Sequence, residues 1–552
     1  MTLHLTSNFD IPVDTKNVAI AAFPKGNKYI KLRDNMGSIF DDEDFQDLYP
    51  KRGQPALAPW RLALVTILQQ GECLSDRHAA DAVRSRIDWK YLLGLELSDP
   101  GFDHSVLSEF RDRLISQSAE ERVLDKILKH CIELNILKSG GKQRTDSTHV
   151  LTSVRNMNRW ELIGEVLRAA LNELATIAPA WLQGIAKDDW YKRYSNRIEN
   201  FRLPRTTEKK QEFADHVGQD SHYLLDKIQE LDAPVTLRYL DKINSLKLAM
   251  NRHFKIDEET QEIIFKTNKQ VHQSEAKIES PYDTEARFRT KRDSNWTGYA
   301  VHLTETCDDT EVNLITDVHT TPADAHDSSV TGLIQSRLAA KNIAPKDHLV
   351  DTGYMSVEHL VRAKNDLNIN MIGKLKAGVQ WQKDVDGAYF PTDFQILWDQ
   401  KKIICPEGDE SLSWKEIPTD GKAKRIQAIF SRKSCTKCPT RNRCTKSEYS
   451  SKKISVFEKE YYDAQVSARE EMKTDSFKKK YGKRAGIEGT ISQGVRNCSL
   501  RQSKYIGLAK THLQEMLNAA AINLFRISDW LMGKPREKTR ISAFYELRPK
   551  AA

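Results

Sequence analysis

The sequence predicts a mixed α/β protein, with a helical region before a central sheet and two insertions within the sheet-forming part. Helical periodicity dominates residues 40–137. From Gln143 to Gly373, short segments rich in β-branched residues alternate with helical ones. The segment 155–280, which is helical and highly charged, interrupts this alternation. The segment 374–473, which contains a cluster of cysteines, follows it. A chain of 552 residues is long enough for about two to four domains.

The N-terminal region reads as a bundle of short helices with short connections. Pro59 occupies a favourable first-turn position, while Ser75 and Asp103 are suited to cap the next helices. Several arginines in this region suit a DNA-binding module. A plain packing or dimerisation module is equally consistent with the pattern, because amphipathic helices mostly build cores.

Two aspartates lie on or beside expected strands. Asp146 falls within GKQRTDSTHVL, and strands are usually depleted in Asp. The alternative is that Asp146 is an ordinary turn residue at the end of a strand. Asp351 ends the expected strand KDHLVD, with Gly353 forming the turn, and α/β sheets build their sites at such carboxyl ends. Residues 296–306 and 311–320 are expected to form a hairpin.

The most basic part of the chain is the stretch 478–510, in which Glu488 is surrounded by Lys and Arg. On a single helix, Tyr481, Arg484 and Glu488 would share one face. The alternative is a solvated basic helix in which Glu488 simply pairs with an arginine. A neighbouring face that would pack inward is formed by Ile487, Ile491 and Val495.

The chain has eight cysteines, too few for a disulfide scaffold of this length. Four are candidates for a structural Zn²⁺ site, because C-x2-C is a common metal-binding spacing. The alternative is that these thiols stay reduced and only pack, as free cysteines often do. The four candidates are Cys405, Cys435, Cys438 and Cys444.

The composition and charge of the chain limit the classes of protein to which it can belong. Hydrophobic residues make up 39% of the chain and charged residues 29%, with a net charge of +8. This local excess of positive charge suits a polyanionic partner. The N-terminus lacks the pattern of a secretory signal, and no apolar run reaches the roughly 18 residues of a membrane span. We therefore expect a soluble intracellular protein with no membrane partner.

The carboxylates of Asp146, Asp351 and Glu488 combine into one hypothesis. Three carboxylates can bind two hard divalent cations through oxygen. Two such ions can activate a nucleophile and stabilise the leaving oxygen in an attack on a phosphodiester. The Lys and Arg residues around Glu488 would neutralise the phosphate backbone nearby.

This arrangement resembles the DDE transposases of bacterial insertion sequences, which have a ribonuclease-H-like catalytic domain. The segments RTDSTHV, LVDTGYMS and YGKRAGIEGTISQGVRNCSLRQSKYIGLAK carry the resemblance, together with the N-terminal helical part. Its most specific piece is Tyr-x2-Arg-x3-Glu, formed by Tyr481, Arg484 and Glu488. The family signature often continues with a Lys, but here that position is Val495, followed by Arg496.

The resemblance implies a metal-binding catalytic triad of Asp146, Asp351 and Glu488, with two Mg²⁺ or Mn²⁺ ions as cofactors. It also implies binding to terminal inverted repeats, cleavage with water, and joining of the freed 3′-hydroxyl to target DNA. A homodimer that pairs two DNA ends and a bacterial cytoplasmic, nucleoid-associated location are expected. The expected contacts with DNA are Tyr481, Lys483, Arg484, Arg496, Arg501 and Lys504.

Two other functions remain open from the sequence. One is a metal-dependent nuclease of the same fold that cuts without joining. The other is a domesticated DNA-binding protein without catalysis. In all three cases the expected domains are the same: an N-terminal helical domain (1–138), a ribonuclease-H-like core (139–154, 281–373 and 474–534), a helical insertion (155–280), a β-rich cysteine-containing insertion (374–473) and a C-terminal tail (535–552).

Overall fold

The computed structural model describes residues 2–5, 9–272, 276–291, 294–309, 312–376, 385–419, 423–447, 449–535, 544 and 547. The described chain is mixed α/β with a helical N-terminal region, as the periodicity predicted. Most of the expected tail (535–552) lies outside the described residues, and so does Glu311 of the expected hairpin.

The N-terminal helices begin close to the predicted signals. Pro59 opens α3, and the Ser75 side chain caps α4 by accepting a hydrogen bond from the His78 amide. Except for the first, these helices share one hydrophobic core with the central sheet and with the last helix of the chain, and Ala19 of the first helix is buried in a small separate cluster with Ile30 and Tyr91. The helices are α1 (Val13–Ala22), α2 (Lys28–Met36), α3 (Pro59–Gly71), α4 (Asp76–Ser85), α5 (Ile87–Leu93), α6 (Ser105–Ser116) and α7 (Arg122–Glu133).

After the first long strand, β1 (Lys142–Leu151), the chain enters the helical segment 155–280. This segment has a hydrophobic core of its own, in which Trp190 and Leu224 are buried. Its elements are α8 (Arg159–Ile177), α9 (Pro179–Ile185), α10 (Asp188–Tyr194), α11 (Thr207–Gln229), α12 (Asp241–His253), β2 (Phe254–Ile256) and β3 (Ile263–Phe265).

Six of the described strands form the central sheet, with β1 in its middle. One edge of β1 pairs antiparallel with β5, which pairs in turn with β4 and β6; the other edge pairs parallel with β7, and β7 with β8. The expected hairpin partner begins at Ile315. The elements are β4 (Arg287–Lys291), β5 (Ser294–Thr306), β6 (Ile315–Pro322), α13 (Thr331–Ala340), β7 (Asp347–Val350), α14 (Val357–Leu367) and β8 (Asn370–Ile372).

The cysteine-containing segment folds around a small core that includes Phe394, Ile403 and Phe430. Its strands are short and form two small sheets. Its described elements are β9 (Gln395–Leu397), β10 (Lys402–Ile404), β11 (Ser413–Ile417), β12 (Arg425–Ile429), α15 (Arg432–Lys437), α16 (Arg441–Cys444) and β13 (Lys453–Phe457).

The basic stretch is not the single helix that its spacing predicted. A 3-10 turn at Lys483–Gly486 separates two helices. Gly482 and Gly486 weaken the helix locally, and Arg144 Nη1 lies 2.0 Å from where a Cβ of Gly486 would stand. Ile487 and Ile491 are buried as predicted. The C-terminal helices are α17 (Lys459–Glu471), α18 (Asp475–Gly482), α19 (Ile487–Cys498) and α20 (Leu508–Leu531).

The longest of these helices, α20, is largely buried against α3, α2, α7 and β6. Its buried Leu517 and Leu524 join the core that the N-terminal helices share with the sheet. Within the described residues, no helix combines the length and apolarity that a membrane crossing requires.

Candidate active site

The parallel pairing of β1 with β7 brings the two expected catalytic aspartates together. Thr145 lies opposite Val350 in the register, and the next residues along the two strands are Asp146 and Asp351. Asp146 is half-buried, and its carboxylate accepts a hydrogen bond from the Ser147 amide at 2.8 Å. Burial raises the pKa of Asp146; the Ser147 amide and Arg484 oppose this, and the charge on Asp351 adds to it.

Tyr481 and Arg484 both reach this pair of aspartates. Arg484 Nη1 lies 2.7 Å from Asp146 Oδ2, and the Tyr481 hydroxyl lies 3.5 Å from Asp351 Oδ1. The Tyr481 ring stacks on Phe477 with 5.6 Å between the ring centroids, which fixes where its hydroxyl points. The break after α18 therefore does not separate these two side chains from the site. Arg484 pairs with Asp146, and not with Glu488 as in the solvated-helix alternative.

Glu488 occupies the first turn of α19 and is exposed. Its helix packs against β1, the strand that carries Asp146. In the described part of the chain, no three His, Cys, Asp or Glu side chains are grouped at the spacing of ligands to one metal ion. The structure thus joins Asp146, Asp351, Tyr481 and Arg484, and leaves Glu488 at the edge of this group.

A buried network holds α19 onto the catalytic strand. Glu305 of β5 is fully buried and accepts a hydrogen bond from Arg144 Nε at 2.8 Å. Its other oxygen accepts from Thr490 of α19 at 2.5 Å and from Arg526 of α20 at 2.9 Å. One carboxylate therefore ties together β1, β5, α19 and α20, and sequence reasoning did not single it out. The sequence does contain one sign of this role, because Glu305 is a lone charged residue within the apolar strand GYAVHLTET.

A further carboxylate, Asp327, lies beside the two aspartates and was also missed. The Ser147 hydroxyl lies 3.5 Å from Asp327 Oδ1. The other oxygen, Oδ2, lies 2.7 Å from where a Cβ of Gly353 would stand, so only glycine leaves room for it. Burial and the charge on Asp327 raise the pKa of the buried Tyr354, and Asp146 and Asp351 act in the same direction. Three carboxylates therefore share this region.

The remaining expected DNA contacts lie around the same strand. The Arg501 guanidinium donates to the Thr148 hydroxyl at 2.9 Å, two residues beyond Asp146 on β1. Lys483 forms an ion pair with Asp309 at 2.6 Å, and the Lys504 ammonium lies 3.2 Å from Gln70 Oε1. Exposed basic side chains in this part of the chain are Arg496, Arg501 and Lys504.

The four candidate zinc ligands line one cavity, together with Lys452. They come from the end of β10, from α15 and its C-terminus, and from α16. All four are free and half-buried, whereas Cys131, Cys307 and Cys498 are free and buried.

Two family descriptions match this chain. The family described as "Transposase domain (DUF772)" matches residues 18–113, and the family described as "Transposase DDE domain" matches residues 404–528. The first covers most of the N-terminal helices. The second begins just before Cys405 and includes Glu488, while Asp146 and Asp351 lie outside it. No curated protein and no solved structure matches the chain.

Proposed function

Starting from the finding that the chain is a DDE-type transposase of an insertion sequence, we propose that it cleaves the ends of its element and joins them to target DNA. The proposal includes binding to the terminal inverted repeats. The observation that carries it is the side-by-side placement of Asp146 and Asp351 on parallel strands, with Tyr481 and Arg484 against them.

We assign the core to the ribonuclease-H-like class. Support comes from the position of β1 at the centre of the sheet, between an antiparallel neighbour and a parallel one. One aspartate lies on β1 and the other at the end of its parallel partner. The core would comprise residues 139–154, 281–373 and 474–534, with 1–138 as a helical region that shares its hydrophobic core, 155–280 and 374–473 as insertions and 535–552 as a tail.

The side chains present fit a divalent-metal site. Asp146 and Asp351 supply carboxylate oxygens, the ligands that Mg²⁺ and Mn²⁺ prefer. The charges of these two residues and Asp327 exceed what Arg484 alone neutralises. Asp146, Asp351 and Glu488 would hold two ions, whose chemistry when bound is to activate the attacking oxygen and stabilise the leaving one.

Arg484 and Tyr481 act on these carboxylates directly. Without metal, the Arg484 guanidinium neutralises Asp146 and so offsets the repulsion between Asp146 and Asp351. When DNA is bound, that guanidinium turns to a phosphate near the cut, because a planar cation pairs well with either anion. The Tyr481 hydroxyl lies against Asp351 and orients it.

Asp327 is a positioning residue in this proposal. It lies against the Ser147 hydroxyl and against Gly353, so it contacts the chain next to each catalytic aspartate. Its charge also favours cations in this region.

The DNA backbone would lie along β1 and the basic stretch. The cut end would lie against Tyr481, Lys483 and Arg484. Further exposed basic residues continue this surface. Two DNA ends must be held together for joining, so we propose a homodimer. The residues that continue the surface are Arg496, Arg501 and Lys504.

The test is a cleavage and joining assay with DNA from the two ends that flank the coding sequence. With Mg²⁺ we expect cuts at the repeat ends and products joined to a target plasmid, and neither with chelator. DNA with the same composition and a scrambled repeat is the control. Cuts without joining would identify a nuclease, and binding without cuts would identify a non-catalytic DNA-binding protein.

A further inference from the structure

We propose that Cys405, Cys435, Cys438 and Cys444 bind one zinc ion that fixes the fold of the cysteine module, residues 385–419, 423–447 and 449–473 of the described chain. The site is separate from the carboxylates of the active site, and its role is structural. It does not depend on whether the enzyme joins DNA.

The first support is convergence. Three stretches of chain bring the four thiols to one cavity. Cysteines that only fill a core would be expected to be buried like Cys131 and Cys307, but these four remain half-exposed around a shared space.

The second support is the shape of the chain around two of the sulfurs. Cys405-Pro-Glu-Gly408 forms a tight turn, closed by a hydrogen bond from the Gly408 amide to the Cys405 carbonyl at 2.9 Å. Gly408 has φ of +91°, which favours glycine. Beyond the turn, the Asp409 amide donates to Cys405 Sγ at 3.3 Å. At the second sulfur, the Thr440 hydroxyl lies 3.4 Å from Cys438 Sγ and donates its hydrogen to Glu407. The Asp409 amide is therefore the donor that stabilises a thiolate, the form that binds metal.

The third support is charge. Four thiolates around a Zn²⁺ ion carry excess negative charge, and two cations hold the walls of the cavity. Arg441 donates to the Cys435 carbonyl and Lys452 to the Cys444 carbonyl, both at 2.6 Å. Both side chains also line the cavity itself, as do Glu407 and Asp409, so the two cations offset part of the negative charge there.

The fourth support is the small core of the module. Seven buried apolar residues make up its hydrophobic cluster, and its strands are three to five residues long. Domains that bury so little apolar surface usually need a metal or a disulfide for stability. The four cysteines are free thiols, so a metal is the remaining cross-link.

Binding requires the thiols to close in. Among the described residues, no three such side chains stand at ligand spacing for one ion. Zinc holds thiolates at about 2.3 Å in a tetrahedron, which would draw the four sulfurs together across the cavity. Four thiolates repel one another, and the attraction of the bound cation offsets this repulsion.

The test is elemental analysis of the full-length protein purified without chelator. We expect about one zinc per chain in the wild type, and a loss of most of it in Cys438→Ser. The control is Cys73→Ser, which removes an exposed thiol outside the module and should keep the zinc. Absence of zinc from the wild type, or full zinc content in Cys438→Ser, would overturn the proposal.

A second measurement covers the case in which Cys438→Ser does not fold. Wild-type protein is treated with a strong chelator and then digested with a low amount of protease. Removal of zinc should expose cleavage sites within 385–473 first, and added zinc should restore protection. An unchanged digestion pattern after zinc removal would contradict a structural role. Neither readout uses DNA cleavage, so failure here is distinct from failure of the transposase proposal.

Discussion

Replacing Asp146 or Asp351 by Asn is expected to reduce DNA cleavage and joining by at least about 10³-fold. Asn keeps the shape of the side chain but removes the charge that would hold a divalent cation, and several kcal/mol of transition-state stabilisation are then lost. Binding of repeat-end DNA should not weaken, because it depends on Lys and Arg residues, and Asp146→Asn frees Arg484 for a phosphate. The measurements are gel assays of cleavage with Mg²⁺ and of binding without it.

Two further variants make this experiment specific. Asp366→Asn, on the exposed end of α14, removes only a surface ion pair with Arg362 and should leave cleavage unchanged. Asp327→Asn should give an intermediate loss of cleavage, because the charged carboxylate of Asp327 holds in place residues that neighbour the catalytic aspartates. Wild-type cleavage by Asp351→Asn would show that Asp351 is not a ligand. Wild-type cleavage by Asp327→Asn would remove its positioning role.

Replacing Glu305 by Ala is expected to destabilise the fold by about 3–5 kcal/mol. The change leaves the buried Arg144 guanidinium and the half-buried Arg526 guanidinium without their carboxylate partner. It also releases Thr490, so α19 loses a contact with β5, the strand that pairs with β1. Urea unfolding of the wild type and the variant measures the difference in the free energy of unfolding.

The matched control is Glu410→Ala. Glu410 also pairs with a cation, Lys402, but both side chains are about half exposed, so the expected loss is less than about 1 kcal/mol. Equal stabilities of Glu305→Ala and Glu410→Ala would mean that the buried network does not anchor α19.

Local patterns in the sequence predicted much of the fold. Proline and serine positions predicted the starts of α3 and α4, because these residues satisfy the first turn of a helix locally. The strand character around Asp146 and the turn after Asp351 predicted two strands, with Asp146 on the first and Asp351 at the end of the second. Parallel pairing then brought them together.

Local sequence patterns could not predict features of the structure that depend on residues distant in the chain. The break at Lys483–Gly486 coincides with the Arg144 side chain, which enters from a strand far away in the chain and donates to the Lys483 carbonyl at 2.6 Å. For the same reason, the partner of Arg484 was assigned to Glu488 in one alternative, while the structure gives Asp146. Asp327 was missed because its neighbours are also distant in sequence.

The central claim is that Glu488 completes a catalytic site with Asp146 and Asp351, and Glu488→Gln tests it most directly. Glu488 is exposed on α19, so this substitution should leave stability unchanged. The measurement is the rate of Mg²⁺-dependent cleavage of repeat-end DNA at saturating protein, with Glu471→Gln on α17 as the control. We expect a loss of at least about 10³-fold in Glu488→Gln alone. A wild-type rate in Glu488→Gln would contradict the triad.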